Sequence, residues 1–422
     1  MNNELYPKFR WFVLLVLWFI TVTEGIILIS FAPLMGVIAT QMGLTLGEAT
    51  GAFMGAFTLF VTVGAVAGGF LVDRAGAVPV FIISCVCMLV GDILIPTFSD
   101  NFGAIVALRI LEGFGAGAIM GVGSAVAAVW FPQKERGLVL GIQGLSVSLG
   151  IAIGFGTTPA MFEATGSWTT AMAWLAVVPL VGILLSVVVA LGPKAHVNDD
   201  QVVACDRVAT QNNFKLALRQ PVTYIGILCI FFLSWVMQAF NDLTPAFLAI
   251  VPPVGVGYGP VEAGKYMMFV QIAFMVGSVI GGIVMEKVFR RVVKPVVMIG
   301  FIGAGIFCFS IKFGFVHSNP SVLIPCLILA GFFQGWVNPN VQAFLAMHYP
   351  ANIVGKLGGM WMGLGIFGGT AGVVAGSIAL HSTELYHMSI LIVGIIAIVG
   401  LVCASFLNPP KAFCVLEEKS KG

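Results

Sequence analysis

The sequence contains little charge. Only 9% of its 422 residues are Asp, Glu, Lys or Arg, whereas about a quarter is usual for a soluble domain. The formal net charge of +2 also argues against a basic surface for nucleic acid. The eight cysteines fall mostly inside apolar runs and have no paired spacing, which argues against a disulfide framework or a zinc site. We therefore expect no metal, no other cofactor and no nucleic-acid partner.

Long apolar runs dominate the sequence instead. Hydrophobic residues make up 59% of the chain and the mean hydropathy is +1.05. A helix that crosses a bilayer needs roughly 20 predominantly apolar residues, and the polar breaks leave twelve such runs. We place them at 11–40, 47–71, 77–97, 102–131, 137–160, 168–192, 222–250, 261–286, 293–314, 320–348, 353–379 and 386–408. The sequence therefore predicts an all-α membrane protein with twelve transmembrane helices in a lipid bilayer.

The basic residues predict the orientation of these helices. Lys and Arg are enriched in the short loops on the cytoplasmic side of membrane proteins. With twelve spans, nearly all basic loop residues fall on the side of the two termini, and only Lys265 and Lys312 fall opposite. The first apolar run is long and lacks a clear cleavage site, so we expect it to stay as a helix. We predict a multi-pass protein of the inner (cytoplasmic) membrane with both termini in the cytoplasm.

A polar stretch near the middle divides the chain. The segment from Gly192 to Gln220 is the longest without an apolar run. It predicts three parts: an N-terminal six-helix bundle at 1–192, a cytoplasmic linker at 193–220, and a C-terminal six-helix bundle with a short cytoplasmic tail at 221–422.

The two halves repeat each other weakly. Gly69 and Gly282 begin similar segments 213 residues apart (282 − 69). Glu24 in the first helix matches Asp242 in the seventh at an offset of 218 (242 − 24). Internal symmetry of this kind is typical of transporters built from related halves. We therefore expect two pseudo-symmetric bundles.

Five charged residues lie well inside the predicted helices, away from the helix ends: Glu24, Asp92, Arg109, Glu112 and Asp242. A charge at the bilayer centre costs at least ~2.5–3.5 kcal/mol, so such residues usually face a partner or a wet pathway. They are candidates for proton coupling or for a counter-charge to substrate. Arg109 and Glu112 are three apart on one helix and can meet. With Asp92 they form either a proton relay or a structural ion pair.

Amides and aromatics add candidates for a substrate cavity. Asn338 and Pro339 are expected to bend the tenth helix and free backbone carbonyls. An aromatic ring beside a carboxylate suits an ammonium group. The candidates are Trp18, Gln143, Trp235, Gln238, Asn241, Gln271, Gln334, Trp336 and Asn338.

The segment GFLVDRAG carries a family resemblance. With Gly69, Asp73, Arg74 and Gly76, it resembles the loop motif between helices two and three of the major facilitator superfamily, although Ala77 and Val78 replace the usual basic pair. RILEG, with Arg109, resembles the superfamily's arginine motif in helix four. The antiporter motif of helix five is not reproduced.

The resemblance implies a fold and a mechanism. The fold is two six-helix bundles, usually monomeric, whose first and seventh helices line a central cavity that opens alternately to either side. We expect the loop motif and its second copy to form a cytoplasmic gate, with the glycines allowing close helix contact and a tight turn. The gate residues are Gly69, Asp73, Arg74, Gly76, Glu286, Lys287 and Arg290.

Together these features predict a secondary active transporter of a small organic solute, most simply a proton-coupled symporter. Embedded acids outnumber bases four to one, which favours an amine or zwitterion as substrate. An organic-anion carrier that binds a carboxylate through Arg109 is the alternative, and a drug–proton antiporter is a third. A non-transporting receptor or scaffold would need a substantial soluble domain or signalling tail, and we expect neither, because the segment after Pro410 is a short stretch of mixed charge. No nucleophile–base spacing or phosphate-binding loop indicates an enzyme.

Overall fold

A computed structural model describes residues 7–193, 207–410 and 413 of the chain. Twelve helical segments in this described part are long and apolar enough to cross a membrane, and no strand occurs in it. Numbered as spans 1 to 12, they are Arg10–Met42, Leu46–Ala75, Ala77–Phe98, Phe102–Trp130, Leu138–Thr165, Trp168–Leu191, Pro221–Ala249, Gly259–Lys287, Val293–Ser310, Pro320–His348, Asn352–Thr383 and Tyr386–Ser405. The all-α, twelve-span prediction is confirmed.

Several spans consist of more than one helix. Span 1 comprises Arg10–Ile29, a short 3₁₀ turn at Ala32–Leu34 and Met35–Met42. Pro33 lies in that turn and has no N–H to continue the helix. Spans 2, 3 and 4 divide as Leu46–Thr50, Gly51–Gly55 and Ala56–Ala75; Ala77–Leu94 and Ile95–Phe98; and Phe102–Met120 and Val122–Trp130. Span 5 is formed by the helix Gln133–Gly144, which begins before the span, and the helix Ser146–Thr165. Spans 6 and 10 divide as Trp168–Leu175 and Val177–Leu191, and as Pro320–Gly335 and Val337–His348. Such breaks place irregular backbone inside the membrane, where buried polar groups are needed to satisfy it.

Span 9 is shorter than predicted. Its helix ends at Ser310 rather than near residue 314, and a separate short helix covers Gly314–His317. Apolar residues resume at Phe313 and Phe315 after Lys312, and the prediction carried the span past this charged residue, which marks the break.

The chain packs as two compact units. Unit 1 consists of the described residues of Met1–Val197, Asn241–Gln271 and Val373–Tyr386, and unit 2 consists of those of Asn198–Phe240, Ile272–Gly372 and His387–Gly422. The predicted division at 1–192, 193–220 and 221–422 remains a prediction. Residues 194–206 of the proposed linker lie outside the described residues, as does most of the tail. The end of the linker forms the helix Arg207–Leu218.

In unit 1, spans 2 and 4 cross with their backbones in contact. A Cβ atom on Gly64 would lie 2.2 Å from the carbonyl oxygen of Phe114, and one on Gly117 would lie 1.9 Å from that of Val61. Only glycine permits so close an approach, and small residues four apart are a common device for packing helices in membranes.

The same crossing recurs in unit 2, between spans 8 and 10. A Cβ atom on Gly277 would lie 2.1 Å from the carbonyl oxygen of Phe332, and one on Gly335 would lie 2.3 Å from that of Phe274. These pairs match the first crossing at offsets of 213 (277 − 64) and 218 (332 − 114). The repeat inferred from the sequence is therefore present in the packing.

In unit 2, the helix Arg207–Leu218 is joined to the spans by hydrogen bonds. Thr223 Oγ1 donates to the carbonyl oxygen of Ala217 at 2.6 Å and pairs with the hydroxyl of Tyr349 at 2.9 Å. Burial raises the pKa of Tyr349, and the bond to Thr223 opposes this rise. The Tyr349 ring also meets the fully buried Trp361 edge-on at 6.1 Å. This cluster fixes the helix Arg207–Leu218 and the start of span 7 against the end of span 10 and the first half of span 11.

Candidate functional site

Glu24 lies where spans 1 and 5 cross closely. A Cβ atom on the next residue, Gly25, would lie 2.3 Å from the carbonyl oxygen of Val147, and one on Gly150 would lie 2.1 Å from that of Val22. Glu24 is 0% exposed, and neither carboxyl oxygen has a hydrogen-bond partner among the described residues. An ionised carboxylate in this position would be costly. A proton or a ligand cation is therefore needed to neutralise it.

A polar bridge lies one turn before Glu24. The amide nitrogen of Gln143 on span 5 donates to Thr21 Oγ1, which donates in turn to the carbonyl oxygen of Leu17 at 2.9 Å. The amide oxygen of Gln143 has no partner in the described part of the chain. Thr21 and Glu24 are three apart and share a helix face. This face therefore presents an acid, a hydroxyl and an amide close to one another.

Arg109 is fully buried in unit 1 and bonded on several sides. Its Nη1 donates to Glu112 Oε2 at 2.6 Å, and both side chains are 0% exposed. The guanidinium also donates to three backbone carbonyl oxygens at 3.3–3.4 Å: Nη1 to Ile27, Nη2 to Leu28 and Nε to Phe53. Its Cζ atom lies 4.4 Å and 4.2 Å from the ring centres of Phe31 and Phe57. The protein itself satisfies this cation, which favours a structural role.

Asp92 extends this cluster from span 3. It is 0% exposed and interacts electrostatically with both Glu112 and Arg109. The preceding Gly91 makes room for Glu112, because a Cβ atom there would lie 2.1 Å from Glu112 Cγ. The structure thus brings together the three residues expected to meet. Two acids share one base, so the cluster carries a net negative charge unless one acid holds a proton.

Two further amides meet in unit 1. The amide nitrogen of Gln271 on span 8 donates to Asn241 Oδ1 on span 7 at 2.8 Å, and both residues are buried. The amide nitrogen of Asn241 and the amide oxygen of Gln271 have no partner among the described residues. Asp242, next along span 7, is 0% exposed. One donor and one acceptor are therefore left for a ligand or for water.

Span 10 breaks near the predicted bend, but earlier. Its first helix ends at Gly335 and the next begins at Val337, which lie four and two residues before Pro339. Pro339 has no N–H to donate to the carbonyl four residues back, that of Gly335. The amide of Asn340 donates to the carbonyl oxygen of Trp336 at 2.6 Å. The Asn340 side chain therefore adds a hydrogen bond to the backbone at this break, next to the Gly335 carbonyl that Pro339 cannot bond.

Polar atoms of the span 10 segment differ in their contacts. The amide nitrogen of Gln334 donates to Cys308 Sγ at 3.1 Å. Trp336 is 8% exposed, and a Cβ atom on Gly281 would lie 3.0 Å from its ring. Within the described chain, the amide oxygens of Gln334 and Asn338 and the indole nitrogen of Trp336 have no partner. Trp336 therefore packs against span 8, and two acceptors and one donor of this segment are left for a ligand or for water.

The remaining cavity candidates lie on spans 1 and 7. Trp18 is half-buried and Gln238 is 8% exposed. The ring of the half-buried Trp235 meets Phe231 edge-on at 6.0 Å, and its indole nitrogen has no partner in the described residues. Their role in substrate binding remains a prediction.

The first gate motif forms a tight turn. Gly76 separates span 2 from span 3 and has a φ of +80°. Glycine adopts such a positive φ readily because it has no Cβ atom. The tightest helix contact lies one residue before Gly69: a Cβ on Gly68 would lie 2.2 Å from the carbonyl oxygen of Ala118, whereas no atom of the described residues lies within 4 Å of a Cβ built on Gly69. Asp73 and Arg74 are exposed and form no salt bridge within the described chain.

The second gate motif pairs with a residue outside our prediction. Glu286 Oε1 accepts from Arg291 Nη2 at 3.2 Å. Arg290 and Arg291 both have positive φ, 49° and 67°, so the chain turns sharply here. Lys287 is exposed. Arg291 therefore belongs with this motif, and the turn that brings it back to Glu286 has no glycine to signal it.

Three other contact residues were missed. Phe31 and Phe57 flank Arg109, and Gly91 makes room for Glu112. Phenylalanines within apolar runs look like ordinary packing. A glycine directly before an embedded acid was the one available signal, and it became meaningful only once the helices were packed.

Comparison with known proteins identifies the family. The family model described as Major Facilitator Superfamily matches residues 17–308 and 290–413. The chain belongs to the major facilitator superfamily. It is 22% identical to the 4-hydroxybenzoate transporter PcaK of Pseudomonas putida, covering 97% of this chain and 95% of that protein. It is also 22% identical to the hexuronate transporter of Bacillus subtilis, covering 88% and 86% of the two chains.

A solved structure confirms the fold of this superfamily member. The crystal structure of a D-xylose–proton symporter superposes with a TM-score of 0.76 at 15% identity, covering 95% of this chain and 98% of that chain. At this identity the likeness concerns the fold. The superfamily fold, its transmembrane helices and its class as a multi-pass membrane transporter are therefore established for this chain.

Proposed function

We propose that this protein is a proton-coupled symporter of a small organic acid and that Glu24 carries the coupling proton. The observation that supports this most is the isolation of Glu24: it is 0% exposed, and no described residue bonds to either carboxyl oxygen. A buried acid without a partner is stable when protonated and costly when ionised. Protonation of Glu24 would therefore stabilise the arrangement of helices in which this side chain is buried, and release of the proton would destabilise that arrangement.

The proposed substrate class rests on two supports. The relatives named above are transporters of 4-hydroxybenzoate and of hexuronate, and both of these are carboxylates. Three buried hydrogen-bond donors also have no partner among the described residues: the Asn241 amide nitrogen in unit 1, and the indole nitrogens of Trp235 and Trp336 in unit 2. Donors of this kind suit carboxylate and hydroxyl groups. Uptake of an anion with one proton is also electrically neutral.

In this proposal Arg109 does not bind the substrate carboxylate, although the sequence suggested that role for an organic-anion carrier. Its guanidinium is engaged by Glu112, three backbone carbonyls and two phenyl rings. We assign it to holding spans 1, 2 and 4 together, with Asp92 and Glu112 balancing its charge.

An amine or zwitterion is the second candidate substrate. It is favoured by the same carboxyl group, since Glu24 has no cationic partner within the described chain. In that case the substrate ammonium, and not a proton, would neutralise Glu24.

Uptake into proteoliposomes separates the two candidates. We would compare 4-hydroxybenzoate with tyramine, which has the same phenol ring but an amine in place of the acid, under an inwardly directed proton gradient. Protein-free liposomes correct for passive entry. The proposal predicts gradient-driven accumulation of the acid and none of the amine. Accumulation of tyramine alone would establish the second candidate, and accumulation of neither solute, with glucuronate also inactive, would contradict both.

The variant Glu24→Gln tests the coupling role. It should abolish accumulation driven by the gradient but preserve exchange of labelled for unlabelled substrate, because a permanently neutral side chain still permits substrate movement. Glu163→Gln is the matched control, since Glu163 is an exposed acid at the end of span 5. Loss of exchange as well as accumulation in Glu24→Gln would place Glu24 in substrate binding instead.

A further inference from the structure

Spans 9 and 12 in unit 2 form an apolar groove on the protein surface. The two helices run antiparallel, since contacts pair Phe301 with Gly400, Gly305 with Ala397 and Phe309 with Gly394. The groove between them has a volume of about 330 Å³, at the lower end of the range for small-molecule sites. Its lining is entirely apolar.

The rim of the groove is open to the surroundings of the protein. Ile302 and Ile306 on span 9 are 43% and 58% exposed, and Ile395 and Ile398 on span 12 are 49% and 61% exposed. Because both helices cross the membrane, hydrocarbon chains of the bilayer contact this rim. The floor is closed, since Phe301 and Ala397 are each 1% exposed.

The position of the groove along span 9 suits one leaflet of a bilayer. The span 9 helix is Val293–Ser310, and the lining residues on it run from Phe301 near its middle to Phe309 near its end. Eight residues of α-helix rise about 12 Å, and half of the hydrocarbon core of a bilayer is about 15 Å thick. The groove therefore runs from about mid-membrane towards one membrane surface, as a lipid acyl chain does.

A cation lies at the surface end of the groove. Lys312 follows Phe309 by three residues, and its Nζ lies 5.6 Å from the centre of the Phe309 ring. Among the described residues Lys312 forms no salt bridge. The exposed ring of Phe313 meets Phe309 edge-on at 5.7 Å. A lysine near a helix end lays its alkyl chain along apolar surface and extends its charge to the lipid headgroups.

The opposite end is less suited to an anion. Lys294 donates to Asn408 at 3.2 Å and lies seven residues before Phe301, about 10 Å along the helix. The uncompensated charge is therefore at Lys312.

We propose that this groove binds one anionic phospholipid, with an acyl chain between spans 9 and 12 and the phosphate group against Lys312. The apolar lining and the half-membrane length select the chain, and the unpaired ammonium selects an anionic headgroup over a neutral one. The site is independent of the residues assigned to transport.

Native mass spectrometry of the full chain tests this proposal. Detergent-purified protein is titrated with phosphatidylglycerol and, separately, with phosphatidylcholine. One tightly retained phosphatidylglycerol is expected, and Lys312→Gln should weaken its binding by about fivefold. Lys265→Gln is the matched control: Lys265 lies on the same predicted side, but it is already paired with Glu262 at 2.7 Å.

A second variant tests the acyl-chain part of the site. Ile306→Trp places a large ring over the groove from an exposed rim position and should abolish photocrosslinking of a phosphatidylglycerol acyl chain to residues 391–401. Ile283→Trp, at a 48% exposed position on span 8, should leave crosslinking unchanged. Equal retention of the two lipids, unchanged binding in Lys312→Gln, or unchanged crosslinking in Ile306→Trp would each overturn the proposal.

Discussion

Removal of the Arg109 side chain tests whether this residue is structural. In Arg109→Gln, Glu112 loses its partner at 2.6 Å in a site with 0% exposure. Breaking a buried ion pair by removing one member costs about 3–5 kcal/mol, because an uncompensated charge stays behind. Two cation–π contacts at 4.2 Å and 4.4 Å are lost as well. We expect Arg109→Gln to destabilise the folded protein by at least this amount.

The double variant Arg109→Gln/Glu112→Gln should be more stable than Arg109→Gln alone. It removes the pair without leaving Glu112 ionised, and residues in direct contact show coupling energies of about 0.5–3 kcal/mol. We expect it to recover about 2 kcal/mol of the loss. Glu112→Gln alone should cost less than Arg109→Gln, since the guanidinium keeps its three backbone acceptors.

Reversible unfolding in mixed micelles measures these free energies, and substrate-induced stabilisation of the folded double variant gives the functional result. We expect the double variant still to bind 4-hydroxybenzoate. The structural role of Arg109 is refuted if the double variant is as unstable as Arg109→Gln, or if it folds normally and no longer binds the substrate that the wild-type protein binds.

Two further predictions concern helix packing and the amide pair. Gly68→Ala should destabilise the protein by about 1–3 kcal/mol, because its Cβ would lie 2.2 Å from the Ala118 carbonyl oxygen. Gly69→Ala should be neutral, because no atom of the described residues lies within 4 Å of the added Cβ. Equal melting temperatures for the two variants would contradict this packing. Asn241→Leu should leave the buried amide nitrogen of Gln271 without its acceptor at 2.8 Å. We expect the KM for substrate to rise at least tenfold with little change in expression. An unchanged KM would exclude this pair from the substrate site.

The number and position of the spans could be predicted from the sequence. Bilayer thickness sets the length of a crossing helix, so apolar runs and polar breaks were sufficient. The prediction of 77–97 for span 3 compares with Ala77–Phe98. The end of span 9 was missed because apolar residues resume at Phe313 and Phe315, although Lys312 already marked the end of the apolar run.

The site was predicted less completely than the fold. The cost of burying charge singled out Glu24 and Arg109 without knowledge of any contact. The sequence did not show that Arg109 would be enclosed by Phe31 and Phe57, because these residues come from two other spans. Nor did it show that Gly69 would be open while Gly68 is packed. Contacts between helices depend on rotation about each helix axis, and uniformly apolar spans have too little amphipathic pattern to fix that rotation.

Proton movement during substrate entry shows whether Glu24 carries the coupling proton. Proteoliposomes loaded with a pH-sensitive dye receive 4-hydroxybenzoate without any imposed gradient, and labelled substrate is counted in parallel. The account predicts that the lumen acidifies by one proton per substrate molecule in the wild-type protein and in Glu163→Gln, and that Glu24→Gln exchanges substrate with no proton movement. Substrate entry without acidification in the wild-type protein, or unchanged acidification in Glu24→Gln, would contradict it.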